Sequence, residues 1–258
     1  MKNNLFKFQK RTIITELFQR FMPGLGPKKP LYKRTNSFAD LVDDDIKNFT
    51  NIDPMYTYRN QIYWAPRFYI QKDLSNEFIF QLKKFRKLKE WSNTDQLALT
   101  QLILTEAIRD TTYEIAYNYN VKQTILCPFW GDIDILLYNN VKEDDYLPVV
   151  PVIFPQTYNF MNIKENYEDF SLPQMVGICN ALLTDFKSRE LGIDHVKALH
   201  TNGSEWILYE VHDNYVKRTK MFESRKKVNS KDKAKIYEDL SHAQSIIGLI
   251  RYALSINF

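Results

Sequence analysis

Acidic side chains at two places in the chain are the strongest candidates for chemistry. Asp132 and Asp134 open a predicted strand in the segment Gly-Asp-Ile-Asp-Ile-Leu-Leu-Tyr, and Glu106 lies near the middle of a predicted helix. Two carboxylates are needed to hold a magnesium ion where it polarises a phosphate and generates hydroxide. These acids are therefore candidates for metal-dependent phosphodiester cleavage. An alternative stays open, in which the aspartates cap a strand and Glu106 is a helix-surface acid.

The elements that would position these acids follow from the spacing of apolar residues. Apolar side chains three or four residues apart predict helices, and short runs rich in Val and Ile predict strands. Helices are expected at 76 to 90, 94 to 117, 172 to 190 and 234 to 255. Strands are expected at 121 to 127, 132 to 138, 148 to 154, 195 to 201, 205 to 211 and 215 to 222. Asn93 or Thr94 can cap the second helix, and Asn202-Gly203 is a hairpin turn signal.

This order of helix, three strands, helix and hairpin resembles the PD-(D/E)XK nuclease superfamily, also called restriction-endonuclease-like. The resemblance covers roughly residues 94 to 222. Its most family-like part is a helix with Gln174 and Ala181-Leu182-Leu183, followed by two strands with a small-residue turn before Trp206. The resemblance implies an α+β fold with a central mixed sheet flanked by helices. To this core the chain adds an aromatic-rich amino-terminal extension and a carboxy-terminal helix.

Carried over position by position, Glu106 matches the helical acid of the superfamily, and Asp134 or Asp132 matches its strand acid. The carboxylate and the lysine of the superfamily's Glu-x-Lys motif fall near Phe154 and Gln156. Phe154 cannot ligate a hard cation, and Gln156 supplies no formal charge to offset the phosphorane. The resemblance thus implies a non-catalytic member with no metal or other cofactor. The vestigial candidates are Glu106, Asp132, Asp134 and Gln156.

Two groups of basic residues are candidates for contact with RNA or DNA. The first lies on one face of the helix at 76 to 90 and comprises Lys83, Lys84, Arg86 and Lys87. The second is in a loop and comprises Arg225, Lys226 and Lys227. The alternative is a merely solvated surface, since the net charge of +4 permits a nucleic-acid partner without demanding one.

The chain divides into three predicted regions. Residues 1 to 34 form an arm with nine basic residues against a single acid, Glu16, interleaved with apolar residues. This composition is typical of a mitochondrial transit segment, and equally of an exposed arm that docks on a partner. Residues 35 to 93 form an aromatic extension and the basic helix, and the aromatic part is expected to pack on the core or on a neighbouring subunit. Residues 94 to 258 form the nuclease-like domain with its carboxy-terminal helix.

Composition excludes several classes of protein. With 44% hydrophobic and 26% charged residues the chain is globular rather than disordered, and no apolar run is long enough for a membrane helix. Cys127 and Cys179 lie in apolar segments and are predicted to be reduced core thiols. The four histidines are scattered without metal-ligand spacing, although His200 and His212 could face each other across the hairpin.

These observations predict a non-catalytic structural or accessory subunit of a larger assembly with protein partners. If the transit interpretation holds, the assembly is mitochondrial, either a respiratory-chain or a ribosome-like complex. The first alternative is a nucleic-acid-binding protein that has lost cleavage. The second is an active magnesium-dependent nuclease that uses Glu106, Asp132 and Asp134 with an unconventional third group.

Overall fold

A mixed β-sheet runs through the centre of the fold. The computed structural model describes residues 37–53, 62–66, 73–85, 92–124, 127–140, 146–154, 172–220, 222–223 and 235–254. Within them the strands are β1 (Ile62–Tyr63), β2 (Tyr113–Val121), β3 (Gly131–Asn140), β4 (Tyr146–Ile153), β5 (His195–Thr201), β6 (Glu205–His212), β7 (Val216–Arg218) and β8 (Phe222–Glu223). The order across the sheet is β1-β7-β6-β5-β4-β3-β2, and β8 pairs with β6 beside this path.

Helices cover both faces of this sheet. They are α1 (Asp43–Phe49), α2 (Asn76–Phe85), α3 (Asn93–Ile108), α4 (Leu172–Ser188) and α5 (Lys235–Leu254), and a short 3-10 turn spans Phe38–Asp40. Two buried clusters of apolar side chains separate the layers, one under α4 and one under α2, α3 and α5. The predicted α+β class, with a mixed sheet flanked by helices, is confirmed.

The pairing of the strands gives the sheet its mixed character. Strands β2, β3 and β4 form an antiparallel meander, β4 and β5 are parallel, and β5 and β6 form an antiparallel hairpin. Parallel neighbours need a crossover connection, and α4 lies in the chain between β4 and β5. The order of elements from α3 to β5 is therefore helix, three-strand meander, helix and parallel strand.

The segment before the first strand packs on the chain's own core. Phe38, Leu41 and Ile46 are buried in the cluster under α4. The close approach depends on Gly177 in α4, where a Cβ atom would lie 2.2 Å from Cδ1 of Leu41. Of the two expectations for the aromatic extension, packing on the core is thus what its described residues 37–53 do.

The predicted second helix was too long, and the strand placed after it was wrong. The helix begins at Asn93, and its cap is Ser92, whose Oγ accepts the Asp95 amide at 3.1 Å, rather than Asn93 or Thr94. It ends at Ile108, because Asp110 has a φ of 62° and turns the chain out of the helix. Alternating residues from Tyr113 then form β2, in keeping with the strand preference of aromatic side chains. The predicted strand at 121 to 127 shares a single residue with β2, Val121, at which β2 ends.

The single strand expected at 215 to 222 is wrong, because the chain there forms two short strands, β7 and β8. The first predicted helix is confirmed as far as Phe85, and its residues 86 to 90 lie outside the described residues.

Other predicted elements are confirmed with small shifts of their ends. Helix α4 buries Met175, Ile178, Leu182 and Phe186 as its spacing indicated. The hairpin β5–β6 turns at Gly203, whose φ of 87° suits glycine. Its tight end packs on α3, since a Cβ at Gly203 would lie 2.5 Å from the Gln96 carbonyl oxygen. Cys127 and Cys179 are free buried thiols, as predicted.

Candidate functional site

Glu106 is buried and holds the start of α2 rather than lying on a helix surface. Its side chain is 5% exposed, so the alternative of a surface acid is wrong. The carboxylate accepts the Ser75 amide and the Ser75 hydroxyl, both at 2.8 Å. Ser75 in turn accepts the Phe78 amide at 3.1 Å, which caps α2. Arg109, one helical turn further along α3, pairs with Glu106 at 3.2 Å.

The two strand aspartates have different surroundings. Asp132 is exposed and accepts the side-chain amide of Asn120 at 2.7 Å. Asp134 is half-buried, and burial raises its pKa above the usual range against the opposing effect of a backbone hydrogen bond from Phe154. The negative charge of Asp132 raises it further. The carboxyl group of Asp134 is therefore costly to ionise.

The structure thus brings one pair of predicted positions together. Asp134 meets the backbone of Phe154 just beyond β4, where the resemblance places the second carboxylate of a metal site. Glu106 is held by Ser75 and Arg109 instead. Gln156 lies outside the described residues.

The basic candidates are only partly described. Lys83 and Lys84 are exposed on α2. The Lys84 ammonium lies 4.4 Å from the ring centroid of Phe80, whose side chain is 56% exposed. Arg86, Lys87, Arg225, Lys226 and Lys227 lie outside the described residues.

A second group of ionisable side chains lies at the open end of the β5–β6 hairpin. We call it the hairpin cluster, and its members are Asp194, His195, Lys197, Glu210, His212 and Lys217. The register of the strands assembles it, because partners on adjacent antiparallel strands have their side chains side by side. His195 is opposite His212, Lys197 is opposite Glu210, and Glu210 is opposite Lys217.

Each imidazole of the cluster has its own carboxylate. Nδ1 of His195 lies 2.6 Å from Asp194 Oδ1, and Nε2 of His212 lies 2.7 Å from Glu210 Oε1. The two rings are stacked with centroids 5.0 Å apart, and Tyr215 stacks on the other side of His212 at 4.2 Å. One ligand atom from each of Asp194, His195 and His212 falls within 4.8 Å of the others, close enough to approach one metal ion.

The inner part of the cluster is strongly desolvated. Burial opposes ionisation of Glu210, but its hydrogen bond with His212 and the charge of Lys217 together lower its pKa. Lys197 is 5% exposed, and burial lowers its pKa to about 8. Its ammonium lies 4.2 Å from the Tyr252 ring centroid and 5.5 Å from that of Trp64. Aromatic faces stabilise a cation at such distances.

The sequence interpretation missed this cluster, since the only facing pair of histidines that it considered was His200 and His212. His200 is buried and lies opposite Ile207, so that possibility is wrong. Thr201 pairs with Trp206, and counting outward from that pair leads to His195 and His212. A two-residue turn at Asn202-Gly203 would instead pair Thr201 with Ser204 and His195 with Glu210. The observed loop has four residues between the paired Thr201 and Trp206, so the local turn signal does not give the register of this hairpin.

Comparison of the chain with protein-family models, curated proteins and solved structures gives no match. No helix in the described part of the chain is long and apolar enough to cross a membrane.

Proposed function

We propose that this protein is a non-catalytic structural or accessory subunit of a larger assembly, built on a degenerate PD-(D/E)XK fold. The observation that carries the proposal is the use of the Glu106 carboxylate. Both of its oxygens accept hydrogen bonds from Ser75, and Arg109 pairs with it. Glu106 thus joins α3 to the start of α2. This structural role explains why the acid is buried without requiring that it bind a metal ion.

The position of Phe154 supports the same conclusion. A two-carboxylate magnesium site needs a second oxygen ligand beside Asp134, and the neighbour there is Phe154. Recruiting Glu106 to an ion would leave the Ser75 amide and hydroxyl without their acceptor. Loss of a buried hydrogen bond to a charged group costs on the order of 1.5–3 kcal/mol.

The succession of helix α3, meander β2–β3–β4, helix α4 and parallel strand β5 supports the assignment to the restriction-endonuclease-like group. The mitochondrial part of the proposal rests on the basic, acid-poor composition of residues 1 to 34. A respiratory-chain complex and a ribosome-like particle are the two assemblies that we consider.

The first experiment is native electrophoresis of the endogenous protein in gently solubilised, nuclease-treated mitochondria, with partners identified by mass spectrometry. We expect migration within a large complex that survives nuclease treatment. Migration as a small species contradicts the proposal.

A cleavage assay addresses the catalytic alternative directly. Purified protein is incubated with supercoiled DNA and with RNA in Mg²⁺ and in Mn²⁺, beside Asp134→Ala and a control in the exposed acid Asp110. We expect no metal-dependent nicking. Nicking that Asp134→Ala abolishes and Asp110→Ala retains would establish an active nuclease.

One observation favours nucleic-acid binding as a second candidate function. Phe80 is exposed beside Lys84 on α2, and an aromatic ring next to a cation is a surface on which bases stack. Binding through Lys83 and Lys84 predicts an affinity that falls steeply with salt. The test compares single-stranded RNA binding of a Lys83→Ala/Lys84→Ala variant with Lys122→Ala, which removes an exposed lysine elsewhere. An affinity that does not change with salt excludes this candidate.

A further inference from the structure

We propose that the open end of the β5–β6 hairpin binds one divalent transition-metal ion of the zinc class, with His195, His212 and Asp194 as ligands. The geometry carries the proposal, since one ligand atom of each side chain lies within 4.8 Å of the other two. The site lies apart from the nuclease-like positions and stands whether or not the proposed function is correct.

Hydrogen bonding sets the tautomer of His212 so that a lone pair is available. Oε1 of Glu210 accepts from the Lys217 ammonium at 3.3 Å as well as facing Nε2 of His212, and a carboxylate paired with an ammonium is ionised. An ionised carboxylate only accepts, so Nε2 of His212 must donate to it. The lone pair of the neutral ring is then on Nδ1. A carboxylate behind a histidine is the usual second contact of a metal-ligating imidazole, where it fixes the tautomer and makes the ring more basic.

His195 and Asp194 would face the ion together. Nδ1 of His195 lies 2.6 Å from Asp194 Oδ1, so these two atoms can ligate one ion side by side once the proton between them is released. Nε2 then has the proton of the neutral His195 ring. The Asp194 side chain is 83% exposed, so it has room to turn its second oxygen towards an ion. An exposed carboxylate also gives the metal a path of entry from solvent.

The charges around the two rings are balanced rather than cationic. Lys217 pairs with Glu210 at 3.3 Å, and Lys187 pairs with Asp213. Lys197, the remaining cation of the cluster, is stabilised by the faces of Tyr252 and Trp64. A dication would thus meet the negative charge of Asp194 directly, whereas the charge of Glu210 is shared with Lys217.

The ligand types select the class of metal. Two imidazoles with one carboxylate suit Zn²⁺, Cu²⁺ or Ni²⁺, whereas Mg²⁺ and Ca²⁺ prefer oxygen ligands throughout. Three protein ligands leave a fourth position of a tetrahedral ion open to solvent. The ion would join β5 to β6 at the end of the hairpin away from Gly203. Binding to the folded state alone would raise the temperature of unfolding.

The test is calorimetric titration of the full, untagged chain with zinc chloride, and with magnesium chloride for comparison. We expect one zinc site and no magnesium binding. His195→Gln and His212→Gln should each weaken zinc binding by about a hundredfold or more, and Glu210→Gln by about tenfold to a hundredfold. The matched control His242→Gln also removes one of the four histidines and should bind zinc like the wild type.

A second measurement guards against variants that fail to fold. In the wild-type protein, zinc should shift or broaden the imidazole proton NMR signals of His195 and His212 and leave those of His200 and His242 in place. The proposal is overturned if the wild type shows no zinc site, if both His195→Gln and His212→Gln bind zinc as the wild type does, or if zinc moves the signals of His200 or His242 instead.

Discussion

Two regions of one sheet use their ionisable residues differently. Beside the end of β4, Asp134 is half-buried next to Phe154. At the open end of the β5–β6 hairpin, His195 and His212 stack on each other and each contacts a carboxylate. The first region is where the proposed resemblance to the superfamily places a metal site, and the second has the denser set of polar contacts.

The two regions differ in whether their ionisable side chains have partners of opposite charge. Antiparallel register places His195 beside His212 and Lys197 beside Glu210, so charges on neighbouring strands offset one another's desolvation. Burial and the nearby charge of Asp132 make the ionisation of Asp134 harder, and the backbone hydrogen bond from Phe154 only partly opposes them. Resemblance in the order of elements therefore does not by itself locate the residues best arranged to bind a ligand.

The largest effect is expected at Glu106, if it is an anchor for α2 rather than a metal ligand. Glu106→Ala leaves the Ser75 amide, the Ser75 hydroxyl and Arg109 without this partner. The free energy of unfolding should fall by about 2–3 kcal/mol, measured by urea denaturation. Glu77→Ala, in an exposed acid of α2, should change it by no more than about 0.5 kcal/mol. Equal effects at Glu106 and Glu77 would contradict the anchor role.

An intermediate effect is expected at Lys197, the most buried cation of the hairpin cluster. Its folded pKa of about 8 lies below the ordinary lysine value of 10.5, so unfolding takes up a proton between these values. The free energy of unfolding therefore rises with pH in that window, by up to about 1.4 kcal/mol per pH unit from this group. Below pH 8 both states are protonated and the gain is absent.

Lys197→Met keeps the length of the side chain and removes this titration. Urea denaturation of both proteins at pH 7 and pH 9 should show the wild type gaining stability relative to the variant as pH rises. Contributions from other lysines and tyrosines are common to the two proteins and cancel in the difference. Parallel pH dependences would mean that Lys197 is solvated, and would weaken the contrast between the two regions.

The smallest effect is expected at Asp134. Burial raises its folded pKa above the unfolded value of 3.8, so stability is lost as the pH rises from 3.8 to the folded value, and the full cost is present above it. Asp134→Asn should therefore be more stable than the wild type at pH 7 and should lose that advantage near pH 3. The amide oxygen can still accept the backbone hydrogen bond from Phe154. Destabilisation at pH 7 would show that the negative charge is useful there, as a ligand-binding site would require.

Local patterns in the sequence predicted those elements whose burial is one-sided and strongly periodic. The inward spacing of Met175, Ile178, Leu182 and Phe186 places α4, and the Asn202-Gly203 turn places the hairpin. The same approach extended α3 into β2, where Ile115, seven residues after Ile108, also fits helical spacing. Asp110, in a left-handed conformation, separates the two elements, and this break has no local signal as strong as a proline or a glycine.

The sequence by itself determined the α+β class of the fold and the buried thiols. These depend on residue type and short-range periodicity, which are explicit in the chain. Only the tertiary structure decided that Glu106 accepts hydrogen bonds from Ser75, 31 residues away, and that His195 lies opposite His212. The physical reason is that such partners are chosen by strand register and helix packing. Both are fixed by burial across the whole core, which joins residues far apart in the sequence.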